Sequence, residues 1–212
     1  MFGALNYIRI ADIFSALNAL FGILGIYFVF TDVRASALFL VASAIMDGVD
    51  GAVARLETSL LGENLDSLAD MISFGVLPAL IIISLGDEWY YFSISGLFLI
   101  CGMIRLARFN LLKIKDEFVG FPITASALIV GAMVLIDFNA VAIAFVSVLL
   151  SLLMISDIRY PKVRDKIVLG VVAVVMVSVF FIPESAYILL ALMVLYLFSP
   201  VLRRGYGEGC GK

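Results

Sequence analysis

Asp47, Asp50, Asp66 and Asp70 fall within a 24-residue stretch of a chain that is otherwise strongly apolar. Asp47 and Asp50 are three positions apart, Asp66 and Asp70 four, so on helices each pair shares a face with Cβ atoms roughly 5–6 Å apart. A carboxylate inside an apolar helix is costly unless it is paired, solvated or bound to a metal. The only basic residue in this segment is Arg55. Hard divalent cations such as Mg2+, Mn2+ and Ca2+ prefer carboxylate oxygens and would offset the charge. Two such ions, about 3.5–4 Å apart and completed by substrate phosphates, suit in-line displacement at phosphorus. A neighbouring carboxylate can accept the proton of a weakly nucleophilic alcohol. The small residues Gly51, Ala52, Ala54 and Gly62 let a bulky ligand or another helix approach the backbone closely. The chain contains no histidine, which removes imidazole-based zinc sites, general bases and haem ligation.

These residues must be positioned by membrane-embedded elements. Of the 212 residues 64% are hydrophobic and 15% charged, far from the roughly 25% charged of a soluble domain. Eight apolar runs read as helices over 10–31, 34–56, 65–85, 89–112, 121–137, 139–156, 166–182 and 184–202. The expected fold is therefore an all-α integral membrane protein, a bundle of about eight transmembrane helices. Residues 1–204 form one polytopic domain, and 205–212 a flexible Gly-rich tail. The two aspartate pairs lie at the facing ends of the second and third runs, where a short hairpin brings them together. With eight spans, thirteen of the fourteen basic residues fall on one side, and only Arg34 falls on the other. The positive-inside rule then places both termini and the aspartates on the cytoplasmic side. Trp89, Tyr90 and Tyr91 read as an aromatic belt at the opposite interface, and Pro78 as a kink in the third run. Asn18, inside the first run, needs a hydrogen-bond partner on a neighbouring helix or on a ligand. Cys101 lies in an apolar run and Cys210 in the tail, a placement that argues against a disulfide.

The pattern D-x2-D-G-x2-A-R followed by G-x3-D-x3-D resembles the signature of the CDP-alcohol phosphotransferase family. Here it is carried by Asp47, Asp50, Gly51, Ala54, Arg55, Gly62, Asp66 and Asp70. The spacer Leu56 to Leu61 is slightly shorter than the family's, a departure confined to the connecting loop. The resemblance implies that Asp47, Asp50, Asp66 and Asp70 bind two divalent ions, Mg2+ or Mn2+, which hold the diphosphate of a CDP-linked lipid. It implies that Gly51, Ala54, Arg55 and Gly62 line the CDP-lipid site and that Asp70 is the catalytic base. It also implies a homodimer, and no nucleic-acid partner.

Three further segments, Asp66 to Pro78, Arg105 to Asn110 and Phe118 to Pro122, resemble the branch that uses L-serine as acceptor, with CDP-diacylglycerol or CDP-archaeol as donor. Arg105 and Arg108 share one helical face, and a guanidinium can grip a carboxylate bidentately. With Asn110 they are the candidate acceptor-binding residues. The alternative is that the two arginines, like Lys162 and Arg164, are positive-inside charges reaching the lipid headgroups. A same-family enzyme using glycerol 3-phosphate or inositol phosphate would want a denser basic pocket, which Lys113 and Lys115 could complete. From another class, a divalent-cation transporter also accounts for intramembrane aspartates, though it predicts them near the midplane or repeated in two halves.

Overall fold

The computed structural model describes residues 9–53, 62–112, 117–163 and 165–207. Among them eight helices follow in order: α1 (Ile10–Phe28), α2 (Val33–Val53), α3 (Gly62–Ser84), α4 (Trp89–Leu112), α5 (Ile123–Leu135), α6 (Ala140–Ile155), α7 (Lys166–Ser178) and α8 (Ser185–Gly207). The helices sit where the apolar runs place them, and α8 continues three residues into the expected tail. By length and composition α2, α3 and α4 are sufficient to cross a bilayer, and the other five are shorter apolar helices.

Polar residues between the runs become caps. Asp32 accepts the Ala35 N–H at 3.0 Å, Asn139 the Val141 N–H at 2.9 Å, and Asp165 the Ile167 N–H at 2.8 Å. The Arg9 N–H reaches back to the Asp12 carboxylate at 2.7 Å. After α5 the chain closes with Phe138 N–H on Met133 O and Asp137 N–H on Val134 O. Asp137 takes the left-handed conformation at φ 53°, completing a Schellman-type end. Its carboxylate then pairs with the Arg34 guanidinium.

Pro78 follows a local widening of the helix. It lacks an N–H, and its ring crowds the carbonyl four residues back. The preceding residues form a π-helical stretch, Met71–Val76, in which the Leu77 N–H reaches Ile72 O. This wide turn begins at the residue after Asp70, where π-bulges often accompany function.

Packing inverts the soluble pattern. Ser36, Ser43, Ser73, Ser126, Ser147 and Ser151 are buried, while Leu20, Ile23, Phe145, Leu152, Val174 and Leu195 are exposed. Small polar residues inside let helices approach, and apolar residues outside suit lipid. Helix α5 is the centre, buried on almost every side and packed against α2, α3, α6 and α8. Of the aromatic belt, Trp89 is exposed as expected, but Tyr91 is buried. Cys101 is a free, buried thiol, and Cys210 lies outside the described residues.

Two segments between the helices pair with each other. Strands β1 (Glu117–Val119) and β2 (Arg159–Pro161) run antiparallel with Phe118 opposite Tyr160. Phe121, Tyr160 and Tyr196 cluster with ring centroids 5.1–6.0 Å apart, and the Tyr196 hydroxyl donates to Pro161 O at 3.2 Å. The pair is thereby fastened to α8. Gly120 follows β1 at φ 80°, and a Cβ there would collide with the Met154 carbonyl. Glycine alone suits that turn.

Candidate active site

The α2–α3 hairpin brings the two aspartate pairs together, as their spacing requires. One carboxylate oxygen each from Asp47, Asp66 and Asp70 lies within 4.8 Å of the others. Asp70 is buried, whereas Asp47 and Asp66 remain partly open. Three ionised carboxylates this close repel by at least about 3 kcal/mol per pair at an effective dielectric of about 20. The donor set consists of hard oxygens, so the cluster could coordinate a divalent metal ion. Asp50 is buried and near enough to Asp47 and Asp66 to interact with both electrostatically, and its Oδ2 accepts a hydrogen bond from the Ser15 hydroxyl.

Helix α1 forms the third wall of the site. Asn18, fully buried, donates from Nδ2 to Asp70 Oδ1 at 3.2 Å. Its own backbone carbonyl accepts the Ser43 hydroxyl of α2 at 3.2 Å and the Ser73 hydroxyl of α3 at 2.9 Å. Gly22 permits this approach, since a Cβ there would collide with Ser73. The neighbouring-helix partner expected for Asn18 is thus Asp70. Ser15 carried no comparable signal, because a serine in an apolar run more often bonds its own helix.

The remaining candidates divide. Gly51 is exposed at the end of α2, and a Cβ added there would meet nothing within 4 Å, so the backbone borders open space. Gly62 opens α3. Ala54 and Arg55 lie outside the described residues.

Arg105 is 6% exposed and close enough to Asp47 and Asp70 to interact with both electrostatically. Its guanidinium makes no hydrogen bond or ion pair to the described residues. It lies over the rings of Phe109 and Phe118, 5.3 and 5.5 Å from their centroids. Lys162 shares the same two rings at 5.7 and 5.1 Å. The β1–β2 pairing, invisible in the sequence, brings this cation to the rings that Arg105 also meets. Arg108 is occupied elsewhere. It donates to the carbonyls of Val119, Met154, Ile155 and Ser156 at 2.8–3.3 Å and to Asp157 at 3.2 Å. Asn110 meets the Ser67 hydroxyl at 3.0 Å, next to Asp66.

A model of the CDP-alcohol phosphatidyltransferase family matches residues 8–157, which include the whole cluster and the arginine helix. The chain belongs to this family. It is similar to the archaetidylserine synthase of Methanothermobacter thermautotrophicus, 36% identical over 167 residues, covering 74% of this chain and 72% of that protein. The CDP-diacylglycerol–serine O-phosphatidyltransferase of Methanocaldococcus jannaschii is 36% identical over 200 residues, covering 92% of this chain and 96% of the relative. The enzyme of the same name from Helicobacter pylori is 37% identical over 220 residues, with 91% and 89% covered. The chain is therefore a CDP-alcohol phosphotransferase of phospholipid biosynthesis, with the apolar helices of a membrane protein. Membership in this family sets aside the cation-transporter alternative.

Proposed function

We propose that this phosphotransferase moves a phosphatidyl-type group from a CDP-lipid, CDP-diacylglycerol or CDP-archaeol, to the hydroxyl of L-serine. The observation that carries this reading is Arg105: a buried guanidinium with no hydrogen bond or ion pair among the described residues, set near the aspartate cluster. Asp47 and Asp70 offset part of its charge at a distance, and donors that no described residue engages fit a substrate that brings an anion. The serine carboxylate is such an anion, and the names of the three relatives include serine. Phe109 and Phe118 support the flat face of the guanidinium while its edge stays available to a carboxylate.

In the proposed reaction the serine oxygen attacks the phosphorus bearing the lipid, and its proton passes to Asp70. The new P–O bond joins serine to the lipid phosphate. The bond between that phosphorus and the bridging oxygen of the diphosphate breaks, and CMP leaves with the bridging oxygen and its electron pair. Asp47, Asp66 and Asp70 would hold a divalent ion, Mg2+ or Mn2+, with Asp50 contributing to a second. Such ions neutralise charge on the diphosphate and on the leaving phosphate. Gly51 and Gly62, with Ala54 and Arg55, would border the nucleotide. Asn110 would order the α3 end through Ser67, and Arg108 would hold the β1–β2 pair that carries Phe118 and Lys162.

The remaining architecture belongs to the same proposal. All eight helices cross or enter the bilayer, the aspartates and termini face the cytoplasm, and two copies form a dimer. The basic residues Arg9, Arg105, Arg108, Arg159, Lys162 and Lys166 on one side support the orientation.

The test is CMP release by purified protein in detergent, with a CDP-lipid, Mg2+ or Mn2+, and L-serine, glycerol 3-phosphate or inositol phosphate. Turnover with L-serine alone, lost with chelator and in Asp70→Asn, is the expected result. Turnover only with a phosphorylated acceptor would overturn the serine assignment, and Arg105 would then be holding phosphate.

A further inference from the structure

The aspartates of a metal site need their lone pairs directed, and partners outside the signature segment can do this. Helix α1, outside that segment, makes two contacts that do. Ser15 and Asn18 are three residues apart on one face, and each grips one aspartate from a different pair: Ser15 holds Asp50 and Asn18 holds Asp70. We propose that Asn18 is a positioning residue for the metal site: its amide fixes the Asp70 carboxylate toward Asp47 and Asp66, while Ser15 holds the Asp50 carboxylate. This rests on the metal-site reading above.

Three observations support it. Asn18 is 0% exposed, so its amide has no solvent alternative and its bond to Asp70 is a fixed part of the interior. Its Oδ1 is buried without a hydrogen-bond partner among the described residues, an uncommon cost inside an apolar bundle. A structural asparagine gains nothing from that arrangement, whereas one oriented for Asp70 must keep Nδ2 on the carboxylate and leave Oδ1 wherever geometry puts it. The backbone is also clamped. Hydroxyls from α2 and α3, the two helices that carry the aspartates, both close on the Asn18 carbonyl. The residue therefore moves with both halves of the site, and its amide has little freedom to swing away from Asp70. Partners that orient metal ligands in this way typically contribute 10–100-fold in metal affinity or activity.

The experiment uses the full chain in detergent, stripped of metal, with Mn2+ binding followed by electron paramagnetic resonance in the absence of substrates. Asn18→Leu keeps the volume and suits an apolar helix, and Asn18→Ala serves as a second variant in case the leucine does not pack. Folding is checked through the burial of Cys101. Asn18→Leu should bind Mn2+ about 10–100-fold more weakly than the parent. Its turnover should recover as Mn2+ is raised, with the KM for the acceptor unchanged, a pattern that loosened packing would not give. Mn2+ binding within about twofold of the parent in a folded Asn18 variant would overturn the positioning role and leave the metal site standing. Absence of saturable Mn2+ binding in the parent, or its persistence in Asp70→Asn, would overturn the metal-site reading itself and this proposal with it.

Discussion

Replacing Arg108 by methionine separates a brace from a substrate contact. The Arg108 guanidinium donates to four backbone carbonyls, Val119, Met154, Ile155 and Ser156, at 2.8–3.3 Å. Three of these belong to the end of α6 or just beyond it, and the fourth to β1. Methionine keeps the stem and removes every donor. At about 1 kcal/mol net per hydrogen bond the loss approaches ~4 kcal/mol. The side chain is 22% exposed, so water takes over part of the task, and about 2 kcal/mol is the better figure. The contact with Asp157, itself 97% exposed, adds little. For a chain of this size 2 kcal/mol corresponds to a Tm lowered by about 4–8 °C. The buried Cys101 provides the assay, since a thiol-reactive dye reaches it only on unfolding, in a Cys210→Ser background. Below the transition the KM for L-serine should move by less than about threefold. An unchanged Tm together with a KM raised tenfold or more would refute this reasoning and return Arg108 to the acceptor pocket.

Arg105→Lys keeps the charge but loses the planar fork, worth about 1.5–3 kcal/mol where two charge-assisted bonds become one. The KM for L-serine should rise about 10–100-fold with kcat little changed, and an unaltered KM in steady-state kinetics would remove Arg105 from the acceptor site. Orientation is read by labelling Phe138→Cys and Asp157→Cys, both at exposed positions, with a membrane-impermeant maleimide in intact cells. Phe138→Cys should label from outside and Asp157→Cys only after permeabilisation; the reverse pattern would invert the proposed topology.

What the sequence could disclose follows from the range of the interactions involved. The two aspartate pairs were legible because three- and four-residue spacings are local properties of a helix, and the hairpin between them is short. The helix positions were legible because apolar runs and their polar caps, Asp32, Asn139 and Asp165, are local too. The same spacing rule could not rank Arg105 against Arg108. Two residues on one face differ by about 60° around the axis, enough to send one guanidinium to the aspartates and the other to α6. Nor could it show that Asp50 is held by Ser15, 35 residues away, while Asp47, Asp66 and Asp70 converge. The β1–β2 pair is three residues on each side, too short for a period-2 pattern, and one strand contains Pro161. Yet that pairing delivers Lys162 to the rings under Arg105. The aspartate cluster is thus written in a local code, and the surroundings of the proposed acceptor residues are assembled by contacts between distant segments. A signature can accordingly identify the reaction class of this chain from 24 residues, while Arg105 and Phe118, proposed to meet the acceptor, and Lys162, which shares their ring cluster, all lie outside that window.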